Sequence, residues 1–187
     1  MKNIIFPKKL SFSKIKEFFH SKNLGFILNF HNKGKLNVNK MKVSDPFKPD
    51  LVDLYRLYQF VVLNRRTTIL EFGSGWSSLI FSFALRELLG TYKKKITNLR
   101  RNNPFELFVL ENDKKFLNIS KKRINLLNKK KIKIHYNYSQ VHLTTFNDRI
   151  CTEYENLPLC SPDFIYLDAP DQFNVKKKIN GFTTNHK

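Results

Sequence analysis

The chain has 187 residues, of which 34 are lysine or arginine and only 15 are aspartate or glutamate, so its formal net charge is +19. Its apolar fraction of 41% argues against a wholly disordered chain, and its length predicts a single domain with its own core. No run of 18 apolar residues is present, which argues against a membrane span, and no export signal is visible, so we expect a cytoplasmic location.

The positive charge raises the question of a nucleic-acid partner, because a basic surface releases counterions from phosphates. The excess consists of 26 lysines against 8 arginines, and it accompanies 20 asparagines and 18 phenylalanines but only 2 alanines. Residues with A/T-rich codons are therefore abundant, while arginine, the better residue for bidentate phosphate recognition, is scarce. Nucleic-acid binding stays open as a function but is not favoured.

The two cysteines, Cys151 and Cys160, belong to no Cys-x-x-Cys motif, and no pair of histidines has zinc spacing. We interpret them as two half-buried thiols in a reducing compartment. We therefore predict no metal site.

Residues 1–48 are basic and irregular, and we interpret them as an N-terminal extension to a domain over residues 49–187. Helical spacing of apolar residues predicts a helix over residues 12–19 that packs phenylalanines onto the domain, with a disordered or partner-binding arm as the alternative. A turn is predicted at residues 32–35. A second helix is predicted over residues 51–63, with Asp50 as its cap.

The remaining chain alternates apolar runs with amphipathic stretches, which is typical of a parallel sheet with helical crossovers. A strand at residues 67–72, a glycine turn and a helix from Ser77 to Leu89 come first, followed by a basic loop at 90–104. Three more strands are predicted, at residues 105–110, 132–138 and 164–167, and one more helix, at 115–128. Residues 140–162 are ambiguous, with a short strand at 149–154 as one option, and no element is predicted after Gln172.

Acidic residues are found where three of these strands end: Glu71, Glu111 and Asp168. The carboxyl ends of parallel strands meet at one edge of a sheet, where ligands bind. A carboxylate there can accept hydrogen bonds from the hydroxyls of a ribose. Gly73 and Gly75 permit a tight turn and the close approach of a ligand to backbone N–H groups. The sequence therefore predicts a nucleoside-cofactor site at this edge.

Three motifs carry a resemblance to a known family. Ile-Leu-Glu-Phe-Gly-Ser-Gly-Trp-Ser at residues 69–77 resembles the first motif of class I S-adenosylmethionine-dependent methyltransferases. Val-Leu-Glu at 109–111 is similar to their acidic second-strand motif, and Asp-Phe-Ile-Tyr-Leu-Asp-Ala-Pro at 163–170 to their fourth-strand motif. The resemblance covers residues 50–172 and implies a Rossmann-like parallel sheet with flanking helices.

The resemblance implies that S-adenosyl-L-methionine is the cofactor and that the chain transfers its methyl group. It assigns cofactor binding to residues at the strand ends, namely Glu71, Gly73, Ser74, Gly75, Ser77, Glu111, Asn112 and Ser139. Among these, Glu111 would hold the ribose, and Asn112 and Ser139 would lie near the adenine. Asp168 would be the catalytic residue, lying near the sulfonium, where it could orient the acceptor or take its proton.

The chain also departs from the family's pattern. Forty residues separate Glu71 from Glu111, so residues 90–104 resemble an insertion. Only fifteen residues follow Gln172, so we expect a C-terminally truncated chain whose fold is incomplete on that side. Asp-Ala-Pro-Asp at 168–171 replaces the Asn-Pro-Pro-Tyr typical of base methylation, which favours a small molecule, sugar or protein over a nucleobase as the acceptor.

Two other functions stay open. An NAD(P)-dependent oxidoreductase could have a similar sheet, but Ser78 replaces the third glycine of the usual dinucleotide motif. A non-catalytic module that binds nucleotides or nucleic acid would account for the net charge.

Overall fold

A computed structural model of the protein describes residues 3–31, 47–96, 102–127, 132–171, 174–176 and 179. The helices are α1 (Phe12–Ser21), α2 (Ile27–His31), α3 (Leu51–Leu63), α4 (Trp76–Ile96) and α5 (Lys114–Leu127). The strands are β1 (Thr68–Phe72), β2 (Glu106–Glu111), β3 (Lys133–Tyr138), β4 (Val141–Phe146), β5 (Arg149–Tyr154), β6 (Phe164–Leu167) and β7 (Val175–Lys176). The turn predicted at residues 32–35 and residues 97–101 of the predicted basic loop lie outside the described residues.

The main sheet has four parallel strands in the order β3-β2-β1-β6, which confirms the predicted α/β architecture and is consistent with a Rossmann-like layout. The chain moves outward from β1 to β3 and then returns to place β6 on the other side of β1. The connections on the two sides of β1 therefore lead in opposite directions along the sheet, which leaves a crevice between β1 and β6. In open α/β sheets, the crevice at the carboxyl ends of such strands is the usual ligand site.

One face of this sheet packs against the helices. Ile69, Leu107 and Val109 alternate along β1 and β2 and belong to the same buried cluster as the apolar residues of α3, α4 and α5. The ring of Phe164 in β6 contacts Phe60 of α3 at 5.3 Å between centroids, and Phe81 of α4 at 5.8 Å. Because Phe164 begins β6 and Phe60 lies in the last turn of α3, the helix runs back along the strand, and its first turns lie near the carboxyl end of β6, where Asp53 and Asp168 line the same cavity.

The described part of the N-terminal segment packs on the same core, as the accessory-element interpretation predicts. Phe19 of α1 is fully buried, and the ring of Phe18 contacts Tyr55 and Tyr58 of α3 at 5.0 and 5.2 Å. Ahead of α1, the side chain of Asn64 accepts a hydrogen bond from the N–H of Ile5 and donates one to its carbonyl, both at 2.8 Å. Residues 3–31 are thus continuous with the domain.

A carboxylate fixes β6 beside β1. Asp163 accepts hydrogen bonds from the backbone N–H groups of Thr67 and Thr68 at 2.9 Å each, and from the hydroxyl of Thr67 at 3.3 Å. Both threonines are completely buried, so Asp163 provides acceptors for donors that water cannot reach.

The sequence prediction was wrong about the end of α4. The predicted loop at residues 90–104 begins as helix, because α4 continues to Ile96. Ile96 is buried and extends the apolar side of α4 beyond Leu88, while Lys93–Lys95 lie in the last turn, where the helix dipole favours cations. Within the described ranges, neither α4 nor any other helix combines the length and apolarity that crossing a membrane requires.

The prediction was also incomplete after β3. The possible strand at residues 149–154 is confirmed as β5, but it pairs antiparallel with β4, which was not predicted. The tail, for which no element was predicted, contributes β7, and Val175 pairs with Val141 of β4 in a parallel register. The sequence could not predict β7, because a strand of two residues has no periodicity to detect. In the structure, Val175 of β7 is buried against Val141 and Leu143 of β4.

Candidate functional site

The glycine turn after β1 touches the end of β6. Gly73 has a φ of 103°, and its N–H donates a 2.7 Å hydrogen bond to the carbonyl of Leu110 in β2. A Cβ at this position would lie 3.0 Å from the Cβ of Ala169 and 3.1 Å from the carbonyl oxygen of Asp168. Only glycine combines this φ with this close approach, so Gly73 brings the turn against Asp168.

Glu71 ends up buried beneath this turn. Its side chain is fully enclosed, Oε1 accepts a 2.5 Å hydrogen bond from the hydroxyl of Ser77, and Oε2 has no partner among the described residues. The pKa of Glu71 is raised to about 8, mainly by burial and to a smaller extent by the negative charges of Asp168 and Glu111, against the opposing effect of the serine hydroxyls. Glu71 is therefore mostly protonated at neutral pH. Because the charges of Asp168 and Glu111 act on Glu71, the three predicted carboxylates lie in one region of the sheet edge.

Both carboxylate oxygens of Glu111 accept hydrogen bonds from neighbouring residues. Oε2 accepts a 2.7 Å hydrogen bond from the hydroxyl of Ser74, and Oε1 accepts from the N–H groups of Asn112 and Asp113 at 2.8 and 3.0 Å. Burial raises its pKa, although these hydrogen bonds act in the opposite direction. A ribose hydroxyl would have to share Oε2 with Ser74 or displace it.

Asn112 and Ser139 connect loops. The amide of Asn112 donates to the carbonyl of Asp171 at 3.0 Å and accepts from its N–H at 2.9 Å, so it ties the end of β2 to the segment after β6. The hydroxyl of Ser139 accepts from the N–H of Asn156 at 2.9 Å and donates to the carbonyl of Gln140 at 3.2 Å. The predicted adenine contacts of both residues stay predictions.

Asp168 differs from the other two carboxylates because its side chain is exposed. Its N–H donates a 2.9 Å hydrogen bond to the carbonyl of Phe72, which continues the β1–β6 pairing, and its carboxylate makes no hydrogen bond with the described residues. Partial desolvation, followed by the charge of Asp53, raises its pKa. Asp168 is thus positioned to meet a ligand.

A cavity of about 250 Å³ lies at this edge of the sheet, enclosed by residues 47–50, α3, the glycine turn, α5 and the end of β6. Four of the predicted site residues line it: Ser74, Gly75, Ser77 and Asp168. Glu71, Gly73, Glu111, Asn112 and Ser139 are not among the residues that line the cavity. They support or flank the turn and the strand ends that form it.

The sequence did not identify Arg123, which also lines this cavity from α5. Its guanidinium carbon lies 3.8 Å from the ring centroid of Trp76, and that ring contacts Phe30 at 4.9 Å. Burial lowers the pKa of Arg123. An arginine on an amphipathic helix gives no sequence signal for this role, because only the fold brings it against Trp76.

Around one cavity the site therefore contains a carboxylate without a partner among the described residues, a stacked guanidinium and a glycine turn, which suits a small ligand with charges of both signs. In the parts of the chain that the structure describes, no three or more histidine, cysteine, aspartate or glutamate side chains are grouped to hold a metal ion. Comparisons with protein-family models, with curated proteins and with solved structures give no match to this chain.

Proposed function

We propose that the chain binds S-adenosyl-L-methionine and transfers its methyl group to an acceptor. The observation that carries the proposal is the close approach of Gly73 to Asp168 and Ala169. It packs the glycine turn of residues 69–77 against the end of residues 163–170, the two segments that resemble the first and fourth-strand motifs of the methyltransferase family. The crevice between β1 and β6 is where such sheets bind ligands. The motifs that resemble the methyltransferase family therefore meet at one site.

The size of the cavity supports the binding of one end of this cofactor. Pockets for whole small-molecule ligands have volumes of about 300–1,000 Å³. The observed cavity, at about 250 Å³, is smaller and is bounded by the glycine turn. It suits the methionine end, with the nucleoside lying toward the end of β2.

The charges favour this cofactor over a dinucleotide. Asp50, Asp53 and Asp168 line the cavity together with Lys48 and Arg123, so a ligand that carries a cationic sulfonium or ammonium group is a better partner for this mixed lining than a purely anionic pyrophosphate. The N–H of Gly75, which a pyrophosphate would need, already donates to the hydroxyl of Ser78 at 3.2 Å. Both observations count against the NAD(P)-dependent alternative.

The cofactor would supply a methyl group activated by the positive sulfur, so the protein needs no covalent nucleophile. Alignment of the acceptor with the methyl carbon and exclusion of water would provide much of the acceleration. Asp168 would orient the acceptor and accept its proton, and its raised pKa makes its carboxylate a stronger base. We propose a small molecule, a sugar or a protein side chain as the acceptor.

Isothermal titration with S-adenosylhomocysteine tests the proposal. We expect the chain to bind it and Glu111→Gln to weaken binding about 10-fold or more, because a ribose hydroxyl would lose a charged acceptor. The exposed Glu17→Gln in α1 is the control and should bind like the parent chain. Absence of binding, together with NADH binding or salt-sensitive RNA binding, would replace this proposal with one of the alternatives.

A further inference from the structure

We propose that one end of the domain docks on the surface of an anionic lipid bilayer. Residues 64–67 connect the end of α3 to the start of β1, so this end lies away from the candidate site, which is at the carboxyl ends of the strands. The docking surface, called the α3-end surface below, combines exposed apolar and basic side chains: Ile4, Ile5, Phe6, Leu63, Lys8, Lys9, Arg65, Lys93 and Lys95. The proposal goes beyond the proposed function and does not depend on it.

The first part of the α3-end surface is held in place by α3. The side chain of Asn64 binds both the N–H and the carbonyl of Ile5 at 2.8 Å. The hydroxyl of Tyr55 donates a 3.0 Å hydrogen bond to the carbonyl of Lys8. The backbone of residues 5–8 is therefore fixed along α3 by partners that are 59 and 47 positions away in the chain.

This fixed backbone holds large apolar side chains in solvent. Ile4, Ile5 and Phe6 are 53%, 51% and 75% exposed. The ring of Phe6 contacts Phe60 edge-on, with 6.4 Å between centroids. Leu63 lies in the last turn of α3, immediately before the residue that binds Ile5, and it is also exposed. Single exposed apolar residues are common, but a group of them from two segments of the chain indicates a surface that binds an apolar partner.

Lysines follow this apolar group along α3. Lys8 and Lys9 are exposed, and residues 3–16 contain no aspartate or glutamate that could neutralise them. At the amino ends of the strands, the carboxylates of Glu106 and Asp163 are occupied by ion-pair or backbone hydrogen-bond partners. The charge of the two lysines is therefore available to a partner.

More cations lie beyond the end of α3. The guanidinium carbon of Arg65 lies 5.0 Å from the ring centroid of Tyr92, and Nζ of Lys95 lies 5.9 Å from the same centroid. This shared ring brings the last turn of α4, which also contains Lys93, to the end of α3. Positive charge consequently borders the apolar group on two sides.

An anionic bilayer accounts for both kinds of side chain. Its headgroups attract lysine and arginine, whose apolar stems lie along the hydrocarbon boundary, and the apolar side chains enter that boundary. A nucleic acid would pair with the basic residues but would leave Ile4, Ile5 and Leu63 in water. Cations on two sides of an apolar centre suit a plane of negative charge better than one acidic side chain of a protein. The net charge of +19 adds a long-range attraction to such a plane.

Co-sedimentation of the whole chain with lipid vesicles tests the proposal. The probes are vesicles of phosphatidylcholine alone and vesicles that also contain phosphatidylglycerol. We expect the parent chain to bind only the vesicles with phosphatidylglycerol, and we expect salt to weaken this binding. A double variant with Ile4→Ser and Phe6→Ser removes apolar side chains but keeps the backbone bonds of Ile5, and it should bind about 10-fold more weakly or less well still. A double variant with Lys8→Gln and Lys9→Gln should lose about as much affinity.

Matched controls change similar residues elsewhere on the surface. Phe146→Ser removes an aromatic ring that is as exposed as Phe6, at the tip of the β4–β5 hairpin. A double variant with Lys121→Gln and Lys122→Gln removes two exposed lysines from α5. Both controls should bind vesicles like the parent chain. Circular dichroism of each variant verifies that the fold is retained.

Several results would overturn the proposal. One is a parent chain that does not bind the phosphatidylglycerol vesicles. Another is equal weakening by the two lysine double variants, because net charge alone would then explain the binding. If vesicles are not bound, RNA binding that requires Lys8 and Lys9 would assign the surface to a nucleic acid, and a dimer that requires Ile4 and Phe6 would assign it to a second copy of the chain. None of these residues lines the cavity of the candidate site, so S-adenosylhomocysteine binding tests the proposed function separately.

Discussion

The hydroxyl of Ser77, in the first turn of α4, donates a 2.5 Å hydrogen bond to Oε1 of Glu71, the fourth residue of β1. The bond joins the end of the strand to the beginning of the helix across the glycine turn. It does not offset the cost of ionising a fully buried carboxyl group, so the pKa of Glu71 is raised to about 8. The folded protein consequently binds a proton at Glu71 that the unfolded chain releases above its ordinary pKa of 4.5.

This difference predicts a pH-dependent stability. Because the folded-state pKa of Glu71 exceeds its unfolded value, its contribution is fully present below about pH 4.5 and is lost as the pH rises through about 8. Glu71→Gln keeps an acceptor for Ser77 but cannot titrate. Urea denaturation at pH 5 and pH 8 should show the parent losing on the order of a few kcal/mol relative to this variant.

Glu17→Gln serves as the control for this experiment, because Glu17 is exposed on α1. It should keep the pH profile of the parent chain. Parallel profiles for the parent and Glu71→Gln would show that Glu71 is ionised in the folded protein at neutral pH.

Two glycines should respond to alanine with opposite signs. Gly73→Ala introduces a Cβ at a φ of 103° and 3.0 Å from Ala169, which should cost about 1–3 kcal/mol of unfolding free energy. Gly90→Ala, in the exposed middle of α4, meets nothing within 4 Å and should stabilise the chain by about 0.5–1 kcal/mol. Thermal and urea denaturation measure both changes, and a neutral Gly73→Ala would contradict the tight turn.

Three of the four main strands were predictable because each is a short apolar run next to a glycine, aspartate or proline, whereas β3 was predicted from the alternation of apolar and polar residues over 132–138. Their parallel order places their carboxyl ends together, so the positions of Glu71, Glu111 and Asp168 could also be predicted from topology. β4 was missed because its apolar positions, Val141 and Leu143, are followed by polar threonines that interrupt the alternation. Its partners come from β5 and β7, which a local pattern does not contain.

The site was only partly predictable for a related reason. Sequence position shows where a side chain begins but not which neighbour it binds, so the engagement of Asn112 with Asp171 and of Glu111 with Ser74 could not be inferred. Arg123 has the sequence character of a solvated helix residue. Its role depends on Trp76, which is 47 positions earlier in the chain and approaches only when α4 packs on α5.

Asp163 should make a large contribution to stability. Asp163→Ala removes the acceptors for the buried N–H groups of Thr67 and Thr68 and should cost about 2–4 kcal/mol. Asp163→Asn retains one oxygen and should cost less. Urea denaturation compares them with Asp148→Asn, an exposed turn position whose φ of 60° asparagine tolerates. Equal stability of the Asp163→Ala variant and the parent would contradict the β1–β6 connection.

The N-terminal segment should unfold together with the domain. Phe19 is fully buried in the core that α1 shares with α3 and α4, so Phe19→Ala should lower the unfolding free energy by about 3–5 kcal/mol in a single transition. Leu126→Ala on α5, where the side chain is 77% exposed, should change it by no more than about 0.5 kcal/mol. Urea denaturation followed by tryptophan fluorescence reports on both, because Trp76 contacts Phe30 of α2 and lies at the cavity. A Phe19→Ala variant as stable as the parent would show that residues 3–31 do not contribute to the core.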